Sequence, residues 1–211
     1  MNPKWISKFQ LKPGSWVFVP TPEGVVRGNE IKKSIEEQWK PPANYYHLRE
    51  GGHVEAIKAH LGNSSFVHLD IRDFFGSVNR TRVTRCLKTK FDYDFARTVA
   101  NESTVRHPED GKQFILPFGF VQSPIIASLC LFESALGVCL HRLQKTRKAS
   151  VSVYMDDIII STNSHEVSQA LVSEIKHSAE RARFQLNTDK EEGPSSSITA
   201  FNIELSQHSM L

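Results

Sequence analysis

Cysteine is scarce in this 211-residue chain, and its three thiols show none of the spacings that bind metals or build disulfide frameworks. Cys86, Cys130 and Cys139 stand far apart and form no CxxC pair. Each lies in an apolar stretch with helical spacing, so we expect three reduced, buried thiols and a reducing compartment, the cytoplasm. A cysteine zinc site and a disulfide-stabilised secreted domain are both excluded.

Long apolar runs are also missing. The longest candidate, residues 125–140, is interrupted by serines, a glutamate and a glycine, whereas a bilayer span needs about 20 apolar residues. The first residues, Met1 to Trp5, contain no apolar segment of the kind found in signal peptides. We therefore expect neither a membrane span nor a secretory leader.

Strong charge of one sign is absent as well. The formal net charge is only +3 and 39% of the residues are hydrophobic, with no internal repeat. This composition is typical of a globular chain with a sizeable core and one or two subdomains. A mildly basic balance is compatible with nucleic-acid binding but does not demonstrate it.

Two adjacent acids between two β-branched runs are the most informative feature that is present. Asp156 and Asp157 separate Val151 and Val153 from the apolar run 158–160, a pattern that predicts strand, tight turn and strand. Neighbouring carboxylates repel each other unless a cation lies between them, and Mg²⁺ prefers such oxygen ligands. Taken alone, an exposed turn carrying two acids would explain the pair equally well.

A third acid follows a separate apolar run. Residues 66–71 predict a buried strand that delivers Asp70 to the end of a sheet. His68 shares the face of Asp70 and is interpreted as a structural histidine, with a supporting role beside the acid as the alternative. We expect Asp70 and the acidic pair on neighbouring central strands.

The remaining pattern predicts an α+β sandwich, an antiparallel sheet with helices packed on one face. Residues 1–45 are expected to be largely irregular. Residues 79–90 predict a helix with five cations and no acid, either a solvated face or a phosphate-contact surface. The other predicted helices cover residues 31–39, 53–61, 91–102, 123–146 and 165–183, and the other strands cover residues 16–20, 113–116, 184–187 and 198–205.

Four blocks of the chain, in order, resemble the motifs of the reverse transcriptases, specifically the palm and fingers of prokaryotic ones. The resemblance covers roughly residues 45–205, and its blocks are LDIRDFF at 69–75, LPFG at 116–119 with Ser123-Pro124, YMDD at 154–157, and Leu186-Asn187 with Lys190. It implies a right-hand polymerase palm with a fingers subdomain. The subdomains it implies are an N-terminal and fingers segment at 1–65, the first palm motif at 66–78, fingers helices and a loop at 79–121, and the remaining palm at 122–211.

The resemblance also implies a site that binds two Mg²⁺ ions, for which Mn²⁺ can substitute. Asp70 and Asp156 would ligate the ions, Asp157 would be the third carboxylate, and the carbonyl of Ile71 would also reach a metal. The implied reaction is RNA-directed DNA synthesis from deoxynucleoside triphosphates on an RNA template and a nucleic-acid primer.

Nucleotide contacts follow from the same resemblance. The main-chain N–H groups of Asp73 and Phe74 would face the triphosphate, and Phe75 would be a steric gate against a ribose 2′-hydroxyl. Lys190 would donate a proton to pyrophosphate. Arg49 is a further phosphate-binding candidate, with a solvated surface cation as the equal alternative.

Two departures from the family pattern stand out. Phe118 occupies the position after Leu-Pro where the family often has glutamine, and Gln122 comes four residues later, so both are candidates for contacting the incoming nucleotide. This version of the motif resembles divergent bacterial reverse transcriptases linked to phage defence. The chain also leaves no room for a helical thumb of the usual size after Lys190, so a homo-oligomer, a partner protein or a noncoding RNA is expected to replace it.

Other functions remain open on the sequence. A catalytically silent palm-fold scaffold would not need three crowded carboxylates. An RNA-dependent RNA polymerase is disfavoured by Phe75 and by Tyr154-Met155. A protein-primed or untemplated DNA polymerase would use a hydroxyl such as that of Tyr45, Tyr46 or Tyr93, and nothing in the sequence selects one.

Overall fold

The computed structural model describes residues 4–12 and 14–211. Its strands are β1 (Trp5–Lys12), β2 (Ser15–Pro20), β3 (Ser65–Asp70), β4 (Val105–Arg106), β5 (Phe114–Ile115), β6 (Ser150–Tyr154), β7 (Asp157–Thr162), β8 (Glu192–Ser195), β9 (Ser197–Ala200) and β10 (Ile203–Ser206). Its α-helices are α1 (Pro22–Gln38), α2 (Gly52–Lys58), α3 (Arg80–Leu87), α4 (Tyr93–Ser103), α5 (Ser123–Phe132), α6 (Ala135–Lys145) and α7 (His165–Arg181). Short 3₁₀ turns lie at Tyr46–Leu48 and Thr188–Lys190.

The chain divides into two compact units. The first contains Met1–Lys40 and Asp73–Cys130, and the second contains Pro41–Arg72 and Leu131–Leu211. The sequence-derived subdomains at 1–65, 66–78, 79–121 and 122–211 were drawn from motifs, and as functional divisions they stay a prediction.

A four-stranded antiparallel sheet of order β6-β7-β3-β8 forms the centre of the second unit. All six residues of β3 are buried. Phe66 of β3 and Ile159 of β7 pack in one cluster with Ile57 of α2 and residues of β9 and β10. The predicted α+β class, an antiparallel sheet backed by helices, is therefore confirmed.

The last predicted strand is wrong in one respect. Residues 198–205 form two strands, β9 and β10, that pair antiparallel as a hairpin. Phe201 and Asn202 both have positive φ, 55° and 61°, which is the backbone of a tight two-residue hairpin turn. The predicted strand 184–187 is also absent, and only an isolated bridge joins Leu186 to Ile71.

The long helix predicted over 123–146 is two helices, α5 and α6. Ser134 starts α6, because its hydroxyl accepts the N–H of Gly137 at 3.2 Å and donates to the carbonyl of Leu131 at 2.6 Å. A side chain at Gly137 would collide with that same carbonyl. No single helix in the described ranges is long and apolar enough to cross a membrane, and α5 and α6 reach the required length only as a broken pair.

The first unit contains the β1–β2 and β4–β5 pairs and helices α1, α3 and α4. Residues 5–12, expected to be irregular, instead form β1 against β2. Helix α1 begins nine residues before the predicted helix, since Thr21 caps the N–H of Gly24 and Pro22 opens the first turn. Glycines at 24 and 28 weakened the helical pattern there.

Candidate active site

The three acids singled out in the sequence lie on two neighbouring strands of the second unit. Asp70 ends β3 and pairs in register with Asp157, the first residue of β7. Asp156 lies in the turn between β6 and β7, where its carbonyl accepts the N–H of Ile71 at 2.8 Å. Met155 takes positive φ, 55°, so that the turn is tight enough to present both acids.

Burial and crowding change the protonation of Asp156. Burial and the charge of Asp157 raise the pKa of Asp156 to about 6, with a smaller contribution from Asp70. Asp70 itself is only 3% exposed. Three buried or half-buried carboxylates in one place repel one another, and a nearby positive charge would relieve this repulsion.

One such charge comes from Lys190. Its Nζ lies 2.8 Å from Oδ2 of Asp70, and this hydrogen bond raises the pKa of the lysine, which therefore stays protonated. Lys190 follows Asn187, whose N–H donates to the carbonyl of Asp70 at 2.8 Å. The loop after α7 thus fixes the lysine beside the acid through a main-chain contact.

His68 supports the other acid. Its Nε2 lies 2.7 Å from Oδ1 of Asp157 and its Nδ1 lies 3.2 Å from the carbonyl of Thr199. Burial alone would lower the pKa of His68, but the hydrogen bond to Asp157 and the charge of that acid raise it. Of the two interpretations of His68, a residue supporting the acid matches the observed contact.

Two further histidines, which the sequence gave no reason to single out, contact the acidic hairpin. The Nδ1 of His47 accepts the N–H of Met155 at 3.0 Å. Burial lowers the pKa of His47 to about 4, so this nitrogen is a neutral acceptor at pH 7. The ring of Tyr154 packs edge-on against His47, His53 and Phe201 at centroid distances of 5.7, 6.2 and 5.1 Å.

A buried histidine joins the two strands of the hairpin. The ring nitrogens of His60 lie 2.7 Å from Oγ of Ser161 in β7 and 2.8 Å from Oγ of Ser152 in β6. Asn63 also donates to Ser161, and Ser152 donates to the carbonyl of Ala56. Ser152, which lies between two valines, and Ser161 therefore belong to one internal polar network.

The triphosphate candidates Asp73 and Phe74 lie at the start of the first unit's second segment. Asp73 has φ of 45°, and its carbonyl accepts the N–H of Ser77 at 2.8 Å. Burial raises the pKa of the Asp73 carboxyl, and a hydrogen bond from the main chain of Gly76 partly offsets the rise. Phe74 is buried, with its ring 5.6 Å from that of Phe75.

The gate candidate Phe75 contacts the departure residue Phe118, with ring centroids 5.6 Å apart. Phe118 is 44% exposed. Its loop is fixed to β2, because the carbonyl of Phe118 accepts the N–H of Phe18 at 2.9 Å. Gly119, at φ 112°, approaches the carbonyl of Phe18 so closely that any side chain would collide with it.

Gln122 and Arg49 take other positions. Gln122 is 3% exposed and its amide donates to Oγ of Ser103 at 3.3 Å, so this burial gives no support to a nucleotide contact. In the second unit, the guanidinium of Arg49 donates to the carbonyl of Ala43 and lies 5.3 Å from the ring centroid of Tyr46. The contacts observed for Gln122 and Arg49 are therefore contacts within the protein.

Across the described residues, no three carboxylate, imidazole or thiolate groups already converge as the ligand set of a metal ion. Asp70 is turned to Lys190 and Asp157 to His68. The three cysteines, as predicted, are buried and form no disulfide.

Comparison with known proteins identifies the class to which this arrangement belongs. The solved structures that resemble the chain include telomerase from Candida albicans in complex with a TWJ fragment of telomeric RNA (TM-score 0.58, 12% identity, 88% of this chain and 36% of that one). They also include the foamy viral protease-reverse transcriptase in complex with an RNA/DNA hybrid (TM-score 0.53, 16% identity, 95% and 22%). The fold is therefore the polymerase palm expected from the sequence.

The family follows from the sequence comparison. The model of the family described as "Reverse transcriptase (RNA-dependent DNA polymerase)" matches residues 27–200, and the chain belongs to this family. It is also 30% identical over 149 residues to the retron Ec73 reverse transcriptase of Escherichia coli, covering 64% of this chain and 44% of the relative. The chain thus spans less than half the length of that relative. The predicted resemblance to prokaryotic reverse transcriptases is confirmed.

Proposed function

We propose that this chain is an RNA-directed DNA polymerase that transfers deoxynucleotides to a primer 3′-hydroxyl. The observation that carries the proposal is the register of β3 and β7, which brings Asp70 opposite Asp157 with Asp156 in the adjoining turn. A sheet that gathers three carboxylates gains nothing in stability from their repulsion. Their crowding is explained if they act on a cationic ligand.

The donor set fits Mg²⁺, with Mn²⁺ as a substitute. The protonated Lys190 contacts Asp70, and burial together with the charge of Asp157 raises the pKa of Asp156, so a cation bound here would stabilise the ionised acids. Hard oxygen ligands suit this ion. Asp70, Asp156 and Asp157, with the main-chain carbonyl of Ile71, would hold two ions. Bound there, the ions would lower the pKa of the primer hydroxyl and neutralise charge on the departing pyrophosphate.

The chain's own residues would supply positioning and a proton. Lys190 is kept protonated beside Asp70 and would donate its proton to pyrophosphate. The main chain of Asp73 and Phe74 would contact the triphosphate. Phe75, packed on Phe118, would exclude a ribose 2′-hydroxyl. Arg49 and Gln122 remain the weaker nucleotide-binding candidates.

The biological setting is proposed from similarity alone. A retron reverse transcriptase is similar in sequence, and the loop around Phe118 resembles defence-associated bacterial enzymes. We propose a role in antiphage defence, with an RNA template and a nucleic-acid primer, and with a second copy of the chain, a partner protein or a noncoding RNA as partner.

The test is primer extension by the purified chain with Mg²⁺ or Mn²⁺. Labelled deoxy- and ribonucleotides are offered on RNA and DNA templates, and without template or primer, with a chelator as the control. Deoxynucleotide incorporation that follows the RNA template sequence is the expected result. Incorporation without template would instead support untemplated or protein-primed synthesis. Ribonucleotide incorporation would support an RNA polymerase, and no incorporation under any condition would support a silent scaffold.

A further inference from the structure

A basic cleft lies between α3 and α4 of the first unit, on elements that carry none of the three carboxylates. Its volume is about 450 Å³. The residues that line it and matter here are Arg80, Arg85, Lys88, Tyr93, Arg97 and Asn101. We call this group the basic cleft.

The charge of the basic cleft is unbalanced. Four of its lining residues are cationic and none is acidic. Of the acids on α4 and at its N-cap, Glu102 pairs with Arg27 at 2.9 Å, Asp92 caps the N–H of Phe95 at 2.8 Å, and Asp94 in the first turn does not line the cleft. Burial is the main cause that lowers the pKa of the neighbouring Lys4, and the positive charge of Arg80 adds to it.

Two of the four cations are held in place without neutralising their charge. Arg80 donates from Nε to Oγ1 of Thr104 at 2.9 Å, and its Cζ lies 3.5 Å from the ring centroid of Phe114. Arg97 donates to the hydroxyl of Tyr93 at 3.1 Å. Fixed guanidinium groups lose little entropy when an anion binds, so they are suited to phosphate.

The basic cleft is longer than a single phosphate group, so it can hold a segment of a nucleic-acid strand. Arg80 and Lys88 lie eight residues apart, which is about 12 Å along the axis of α3 at 1.5 Å per residue. Each strand of a duplex carries one charge per about 3.4 Å, and an extended single strand spaces its phosphates more widely, so roughly two phosphates would lie along this distance. Tyr93, 48% exposed, offers an aromatic ring among the cations.

We propose that the basic cleft binds the phosphate backbone of a single nucleic-acid strand, with one base stacked on Tyr93. The contacts of the four cations and Tyr93 are independent of base sequence, because these groups recognise phosphate or an aromatic face. It would give this chain a hold on nucleic acid that is separate from the carboxylate site.

The test is fluorescence anisotropy with a short labelled single-stranded RNA, with DNA of the same sequence as a second arm. Chelator is present so that divalent ions do not contribute. The double variant Arg85→Gln with Lys88→Gln removes two exposed cations. At 0.15 M salt we expect about tenfold weaker binding, and the slope of log K against log salt should shrink by about 1.4. Tyr93→Leu should weaken binding by at least about fivefold.

The matched control is Lys32→Gln with Lys33→Gln on α1, which removes the same charge outside the cleft. It should change affinity by less than about twofold, since dispersed charges contribute weakly through screened solvent. The proposal is overturned if both double variants weaken RNA equally, or if neither does. It is also overturned if inorganic tripolyphosphate displaces the strand at equal phosphate concentration while Tyr93→Leu has no effect, because a small-anion pocket would then explain the cleft. The nucleic acid that binds more tightly, RNA or DNA, is the one that the cleft prefers, and either preference supports the proposal.

Discussion

We predict that the protein loses stability as the pH falls because of His60. Burial lowers the pKa of His60 to about 3, against an ordinary value of 6.5. Between those values the unfolded chain binds a proton and the folded chain does not, so stability rises with pH across this window. From pH 7 to pH 5 the loss assigned to His60 is about 2 kcal/mol, at 1.36 kcal/mol per unit below 6.5.

The assay is urea unfolding of the wild type and His60→Gln at pH 7 and pH 5. The variant should be less stable at pH 7 by about 1–3 kcal/mol, because Ser152 and Ser161 lose a buried partner. Its loss between pH 7 and pH 5 should be smaller than that of the wild type by about 2 kcal/mol. Groups common to both proteins, including Asp156, cancel in this difference.

His208→Gln, which removes an exposed imidazole, is the matched control and should leave the pH difference unchanged. Equal acid sensitivity of the wild type and His60→Gln would refute the reasoning. It would mean that His60 is protonated in the folded protein, and that the neutral network between β6 and β7 does not form.

Three other perturbations have defined outcomes. Phe75→Ala should raise ribonucleotide incorporation relative to deoxynucleotide incorporation by about tenfold in competition assays, because the ring would no longer exclude the 2′-hydroxyl; an unchanged ratio would remove the gate. Lys190→Ala should slow single-nucleotide incorporation by about 10²-fold or more, since the protonated amine beside Asp70 is lost. The fall in rate at alkaline pH should also disappear. A variant with the pH–rate profile of the wild type would show that Lys190 is not the proton donor. Gly119→Ala should destabilise the chain by about 2 kcal/mol or more, through backbone strain and a collision with a β2 carbonyl. Gly62→Ala, also at positive φ but in open space, should destabilise it less. Equal losses of stability in denaturant titrations would mean that the collision at Gly119 is relieved.

The sequence predicted the parts of the fold that depend on local patterning. The β6–β7 hairpin follows from β-branched runs on either side of two acids, and β3 follows from one continuous apolar run. Asn79, Asp92 and Ser164 cap α3, α4 and α7 in the structure, although the predicted helices 79–90 and 91–102 began at or before the first two of these residues. These signals act over a few residues, so a single sequence contains them.

Contacts between distant segments were not predictable in this way. His47, His53 and His60 meet the acidic hairpin across about a hundred residues of chain, and no local pattern distinguishes them from surface histidines. The break between α5 and α6 depends on Gly137 approaching a carbonyl of the preceding helix. Gln122 was a candidate for contacting the nucleotide. Its burial against Ser103 depends on packing around α5, which the local sequence does not reveal.

The central claim is that three carboxylates on β3 and the β6–β7 turn perform the chemistry. The most direct measurement is the rate of deoxynucleotide incorporation on an RNA template by Asp70→Asn, Asp156→Asn and Asp157→Asn, with the exposed Asp189→Asn as the matched control. Each of the three variants should remain folded and lose at least about 10²-fold in rate, while the control keeps the wild-type rate. Wild-type incorporation by a folded Asp156→Asn variant would contradict the account, because the acid in the turn would then take no part in the reaction.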